Sequence, residues 1–269
     1  MSDEKSKATL LKEEIMMKGS KGAATLNAEE IKKADDFCVG YKKFLDHSPV
    51  EREAVSYTLE LAKKAGFTEY DENASYNAGD KVYYVNRDKA IALAVIGKSG
   101  VKNGARLAIA HIDSPRIDLK PNPLYEDTNL ALFKTHYYGG LKKYQWTALP
   151  LSLHGTVVKL DGTKVNITWG DDENESCFCV TDLLPHLAKD QVSKPLAKVF
   201  TGEDLNVLVG SRPYEDGNDE KDLVKLNVMS ILNKKYGIVE GDFLSAELCL
   251  IPSFKARDIG FDASMIGGY

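Results

Sequence analysis

Cysteine is scarce, at four in 269 residues. That is too few, and too scattered, for a disulfide framework in a chain of this length, so a reduced, cytoplasmic protein is the default expectation. Long apolar runs are missing as well. No stretch approaches the roughly 18 consecutive apolar residues that a membrane-spanning helix needs, and Met1-Ser2-Asp3-Glu4-Lys5 has no apolar core of a secretory signal. There is no basic excess: Lys+Arg is 35 against Asp+Glu 40, a formal net charge of −5, which argues against a nucleic-acid partner. The G-x-S-x-G elbow, the G-x-x-x-x-G-K-[ST] loop and the H-E-x-x-H helix are absent, and three common enzyme classes lose their usual signatures with them. Gly139-Gly140 and Gly267-Gly268 do not follow the strand, glycine turn, helix order of a nucleotide site.

What is present is ordinary globular material, 43% hydrophobic and 28% charged. At roughly 150 residues per domain, the length suits one large or two modest domains. The first 66 residues read as helical. Ala8 to Met17 has near-helical apolar spacing, and Asn27 with Glu30 forms a capping box ahead of a run to Phe44. Ser48-Pro49-Val50-Glu51 predicts another start, with Ser48 as N-cap, and Gly66 supplies the left-handed end of that helix. Val82 to Val85 and Ala90 to Ile96 read as strands around a polar turn. Arg106 to His111 is a nearly continuous apolar run, as in a strand covered on both faces. The texture changes near Lys120-Pro121-Asn122-Pro123, where a second unit begins. Within it, Asp161-Gly162 marks a hairpin between His154 and Trp169. Thr181 to Leu187 and Asp222 to Tyr236 are helix candidates, and Asp171 to Glu175 and Glu215 to Glu220 read as acidic, solvated loops. Phe243 to Ile251 returns to strand composition.

His111-Ile112-Asp113 is the sharpest local feature. On extended backbone, residues i and i+2 share a face, so an imidazole and a carboxylate would stand together where an apolar strand ends. Strand ends of open α/β sheets are where sites are built, and neutral imidazole is a good zinc ligand when a carboxylate holds its tautomer. The plain alternative is a structural His–Asp pair capping a turn beside Ser114-Pro115. His186 lies in the apolar stretch Leu183-Leu184-Pro185-His186-Leu187, where a hydrogen-bonded core or interface histidine is the simpler reading. His47, His136 and His154 carry no assigned chemistry. Cys177-Phe178-Cys179 lacks the C-x-x-C spacing of zinc or redox sites and reads as packing.

Ala110-His111-Ile112-Asp113-Ser114-Pro115 resembles the opening metal motif of the aspartyl aminopeptidase and vacuolar aminopeptidase I family of dinuclear zinc exopeptidases. The likeness continues in family order. Tyr138-Gly139-Gly140, Trp146 and Leu149 to Gly155 resemble the segment entering the family's dimerisation domain. Leu184-Pro185-His186-Leu187 resembles an element within that domain, and Ala246 to Leu250 and Ile266 to Tyr269 resemble the return to the peptidase domain.

The resemblance implies an α/β fold: an α/β/α peptidase domain of the zinc aminopeptidase type, interrupted by a β-rich dimerisation domain. Residues 1–120 would be the first part of the peptidase domain, 121–242 the dimerisation domain, and 243–269 the start of the second peptidase part. It further implies hydrolysis of N-terminal residues from peptides, with two zinc ions per active site, and dimers assembled into a tetrahedral dodecamer. His111 would be a zinc ligand, Asp113 the carboxylate that positions a glutamate base, and His186 a group reaching the partner subunit's active site. The family's Asp-Asp-Arg-like stretch, its glutamate base and its final histidine have no counterpart here. Two-metal hydrolysis needs both ions held close together by three or four ligands each. The chain is therefore expected to be an N-terminal part of such an enzyme, inactive alone; a non-catalytic assembly module is the other reading. Family members prefer acidic or neutral N-terminal residues, and this sequence does not say which.

Overall fold

The computed structural model describes residues 5–17, 19, 22–215 and 221–269. The acidic run Glu215–Glu220 therefore lies almost wholly outside the described residues. The chain opens with four helices: α1 (Lys7–Ile15), α2 (Gly22–Thr25), α3 (Ala28–His47) and α4 (Glu51–Lys64). The Asn27 carboxamide accepts from the backbone N–H groups of Glu29 and Glu30, and Glu30 reaches back to the Asn27 N–H, so the expected capping box starts α3. At the far end of α4, Gly66 adopts φ +85°. The N–H groups of Gly66 and Phe67 turn back to the carbonyls of Lys63 and Ala62, closing the last turn. Ser48, however, does not cap α4. The cap position is Val50, whose side chain is buried with Cys249 and Ile251. Docking that apolar side chain moves the helix start past the proline and leaves Ser48 to close α3.

Next comes a three-stranded sheet of β1 (Thr68–Glu69), β2 (Lys81–Asn86) and β3 (Ala90–Val95), with β2 central. The expected continuation, a buried strand over 106–111, does not form. This stretch is irregular, and Leu107 and Ile109 are 80% and 88% exposed. No described strand pairs with it, and an unpaired strand's peptide groups are better served by water.

The main sheet is six-stranded and antiparallel throughout. Its strands are β4 (Arg116–Asp127), β5 (Leu130–Tyr138), β6 (Leu151–Val158), β7 (Lys164–Trp169), β8 (Val207–Gly210) and β9 (Ala246–Pro252), in the order β7-β6-β9-β4-β5-β8. Pro121-Asn122-Pro123 is a break in register inside β4, with Asn122 at φ +53°, because two prolines cannot donate to a ladder. In this sheet β4 crosses residue 120, β5 to β8 lie within 121–242, and β9 lies beyond 243. A small ribbon of β10 (Arg257–Ile259) and β11 (Met265–Gly267) ends the chain.

Short helices α5 (Lys189–Val192) and α6 (Leu196–Val199) precede β8, and residues 181–187 form a turn around Pro185 in place of the expected helix. α7 (Leu223–Tyr236) does form and ends at Gly237 in the left-handed region, as expected. Its N-terminus is capped from the sheet: Glu126 on β4 accepts from the N–H groups of Val224 and Lys225. An acidic side chain there also suits the helix dipole.

Alternation in the strands explains the core. Ala131, Phe133 and Thr135 of β5 point inward, with Ile117 and Leu124 of β4, and meet Val224 and Leu232 of α7. β9 is covered on both faces. Leu248 and Leu250 join this core, and Cys249 and Ile251 pack beneath Val50 and Tyr269. The mixed α/β class read from the sequence is what the chain adopts, built around this sheet. Phe133 is 1% exposed and meets Phe243 edge-on at 6.1 Å. Phe133→Ala is expected to cost about 3–5 kcal/mol by leaving a cavity, read as a lower urea midpoint with an unchanged m-value.

Candidate functional site

His111 follows the irregular 104–110 segment, four residues before the prolyl turn at Pro115 that feeds β4. Its Nδ1 lies 2.8 Å from the backbone oxygen of Asp113. A carbonyl only accepts, so Nδ1 carries a proton, and in the neutral ring that tautomer leaves the lone pair on Nε2. Asp113 Oδ1 stands 3.5 Å from the same Nδ1. The histidine and carboxylate do come together, through a turn rather than through a shared strand face. The side chain is largely exposed and no described group hydrogen-bonds to its Nε2, a disposition that suits a metal ligand.

Asp113 is held by a neighbour that the sequence reading placed in a motif but gave no part in the site. Tyr138, at the end of β5, donates its hydroxyl to Asp113 Oδ2 at 3.0 Å. That donation, above all, holds the Asp113 carboxyl below the usual carboxylate range, and it raises the Tyr138 phenol in turn. Arg116, opposite Tyr138 in the β4–β5 ladder, lays its guanidinium 4.5 Å from the ring centre. Arg116 donates to Asp118 at 2.6 Å and to Glu51 of α4 at 2.5 Å. Burial works against its charge, yet the two carboxylates outweigh it and raise its pKa further.

His186 sits elsewhere. It is exposed on the turn at Pro185, flanked by the exposed side chains of Leu183, Leu184 and Leu187. No described side chain hydrogen-bonds to its ring, and it makes no contact of that kind with His111 or Asp113. An exposed apolar patch around a histidine has the character of a surface that meets another. Cys177 and Cys179 form no disulfide with each other, the first exposed and the second half-buried.

The histidine with the most perturbed surroundings is one to which the sequence assigned nothing. His154 of β6 is 1% exposed. Its Nδ1–H donates to Glu53 of α4 at 2.9 Å, and its Nε2–H lies 3.2 Å from Asp171 and 3.0 Å from Ser152 Oγ. Burial alone pushes the imidazole's pKa down, but Asp171 and Glu53 overcome it and hold it up to about 9. The available signal was the alternation in Leu151-Ser152-Leu153-His154, which puts two polar groups on one face of an apolar strand. Nearby, Glu247 of β9 accepts from Arg52 and Lys89. A cavity of about 430 Å³ lies between α4 and the sheet beside these pairs, and neither His111 nor Asp113 lines it.

The sequence over residues 44–269 matches the family described as aminopeptidase I zinc metalloprotease, M18. The chain belongs to the M18 family. The resemblance read from the motifs is thereby borne out, and the M18 relatives agree. A probable M18 family aminopeptidase 1 of Clostridium acetobutylicum is 51% identical over 233 residues, covering 85% of this chain and 50% of that protein. A crystal structure of the M18 aminopeptidase from Thermotoga maritima superimposes with a TM-score of 0.86 at 42% identity, over 94% of this chain and 54% of that one. The S. cerevisiae mApe1 dodecamer shares the fold, with a TM-score of 0.58 at 16% identity over 87% of this chain and 52% of that one. This M18 chain spans about half the length of the curated relatives it matches.

One imidazole with a free Nε2 fits a place in a zinc site. Among the described residues, however, no three His, Cys, Asp or Glu side chains converge to hold a metal ion. The described residues do contain a pH-sensitive fastening at His154. Because its folded pKa of about 9 lies above the ordinary 6.5, the stabilisation is complete below about pH 6.5 and is lost as pH rises through about 9. The urea midpoint is expected to fall over that window, and His154→Gln to be less stable below it and flat across it.

Proposed function

We propose that this chain supplies the first ligand-bearing segment and the self-association surface of a zinc aminopeptidase that releases N-terminal residues from peptides. Membership of a zinc metalloprotease family supports the reading, and one observation carries it: the His111 ring, its Nδ1 tied to the Asp113 carbonyl and its Nε2 free. In this reading His111 is a ligand of one of two zinc ions per active site. Asp113 is the carboxylate that orients a glutamate base. His186, mounted on its exposed leucine-flanked turn, reaches the active site of a partner subunit and helps hold the substrate carbonyl.

The reading also keeps the division into a peptidase-type part over 1–120, a dimerisation unit over 121–242 and a resumed peptidase part from 243, with the six-stranded sheet shared across both borders. Assembly as dimers within a tetrahedral dodecamer belongs to it, and the mApe1 dodecamer is a distant precedent for the number. So does a cytoplasmic location, consistent with four free cysteines. No described helix is long and apolar enough to cross a membrane.

The incomplete ligand set favours a chain that is inactive when isolated. The purified 269-residue chain is expected to hold less than one zinc ion by metal analysis and to release no N-terminal residue from peptides. Two tightly held ions together with peptide release would overturn the inactive-alone claim. The zinc-loaded enzyme that contains this sequence decides between the peptidase and a pure assembly module, because only the first hydrolyses peptides. In that enzyme His186→Ala is expected to lower kcat/KM about a hundredfold, the scale of losing one carbonyl-directed donor, with zinc content unchanged. Loss of zinc in that variant would refute the partner-site role.

A further inference from the structure

The turn from His111 to Pro115 follows seven residues without regular structure, Gly104 to Ala110, yet its functional atoms are held at definite positions. Three contacts hold them. The Tyr138 hydroxyl reaches Asp113 Oδ2 at 3.0 Å. The Tyr269 hydroxyl donates to the Pro115 carbonyl at 2.6 Å, its ring set edge-on against Trp146. Gly139, at φ +77°, a conformation that favours glycine, turns the backbone after β5 into van der Waals contact with Pro115.

Of these contacts only the first touches a side chain with a chemical role. We infer that Tyr138 is a positioning residue for Asp113, with Arg116 as the clamp that holds the phenol ring. The assignment rests on the peptidase reading given above.

The geometry assigns one task to each atom. A carboxylate on an exposed turn rotates among rotamers, and each of its oxygens accepts from whatever donor is near. With Oδ2 taken by the Tyr138 hydroxyl, the carboxylate plane is set and Oδ1 faces the His111 ring at 3.5 Å. The turn then keeps the Asp113 carbonyl on His111 Nδ1, which in the neutral ring places the lone pair on Nε2. For this to work the phenol must not swing. Tyr138 is the last residue of β5 and is 40% exposed, so strand packing alone does not hold its ring. The Arg116 guanidinium lies over it at 4.5 Å, and is itself immobilised by Asp118 on its own strand and Glu51 at the start of α4. A planar fork bound on two sides and stacked on a third is a task lysine does not reproduce. The line from α4 through Arg116 and Tyr138 to Asp113 thus couples the helical N-terminal part to the turn that bears the ligand.

Tyr138→Phe removes one oxygen atom and keeps the ring, so it separates positioning from packing. In the zinc-loaded enzyme, assayed with glutamyl and leucyl p-nitroanilides, it is expected to lower kcat about tenfold, the scale of losing one hydrogen bond to a charged group. KM should stay within about twofold and the melting temperature should not change. Arg116→Lys is expected to fall between wild type and Tyr138→Phe in kcat. In the metal-free 269-residue chain, the 15N shifts of His111 should report the Nδ1–H tautomer in wild type and a mixture of both tautomers in Tyr138→Phe. An unchanged kcat, or an unchanged His111 tautomer, in Tyr138→Phe overturns the inference. A fall in kcat matched by a fall in melting temperature assigns Tyr138 to structure and overturns it too. If wild-type enzyme cleaves neither substrate, it is the peptidase reading that fails, and the tautomer measurement still reports on Tyr138.

Discussion

The six-stranded sheet leans on β9. Its seven residues, Ala246–Pro252, pair with β6 on one side and β4 on the other, and they are apolar toward both faces. Leu248 and Leu250 join the core beneath α7, and Cys249 and Ile251 close against Val50 and Tyr269. Remove β9 and the sheet divides into a β6–β7 hairpin and a β4–β5–β8 ribbon, each with an open edge and an exposed apolar face. Its pairing with β6 also dictates a glycine: at Gly155, φ +137°, any Cβ would overlap the Glu247 carbonyl oxygen. Because β9 joins strands about 90 to 130 residues earlier in sequence, the core closes only after distant segments meet. Such non-local pairing is entropically demanding and slow.

A layer of charge lies between that sheet and α4. Arg116 with Glu51 and Asp118, His154 with Glu53 and Asp171, and Glu247 with Arg52 and Lys89 tie the helix to strands β4, β6 and β9 in turn. Exposed pairs of this kind contribute little, but Arg116 and His154 are mostly or fully buried, where losing one partner leaves an uncompensated charge. The interactions are also directional. A purely apolar contact would let α4 slide over the sheet, whereas two anchored carboxylates, Glu51 and Glu53, fix its rotation and rise. The turn carrying His111 and Asp113 inherits that precision through Arg116 and Tyr138, although its own backbone has no ladder to rely on.

Local chemistry was legible wherever it was complete within a few residues. The Asn27–Glu30 box, the Gly66 and Gly237 helix ends, the Asp161-Gly162 hairpin and the His111–Asp113 pair could all be read from neighbours in sequence, and the family resemblance from their order. Readings that depended on a distant partner went astray. Ser48 had the right composition for a cap, but Val50 had a pocket to fill. Arg106–His111 had the pattern of a buried strand, but no described strand lies beside it. Thr181–Leu187 failed for a local reason instead, a turn at its own Pro185. His154 carried no local signal beyond one polar face of a strand, since Glu53 lies 101 residues before it.

The amino-acid sequence by itself determined the helix ends and hairpin turns, the mixed α/β class, the M18 membership, and the proximity of an imidazole to a carboxylate at His111–Asp113. Each of these is settled by torsional preference or hydrogen bonding over a span of a few residues, or by motif order along the chain. Tertiary structure alone decided which strand is central, which histidine is buried and charged, which helix is capped from the sheet, and what holds Asp113 in place. Those outcomes depend on burial, and on partners that only the folded chain brings within 3 Å or so, where desolvation makes a single hydrogen bond or ion pair decisive.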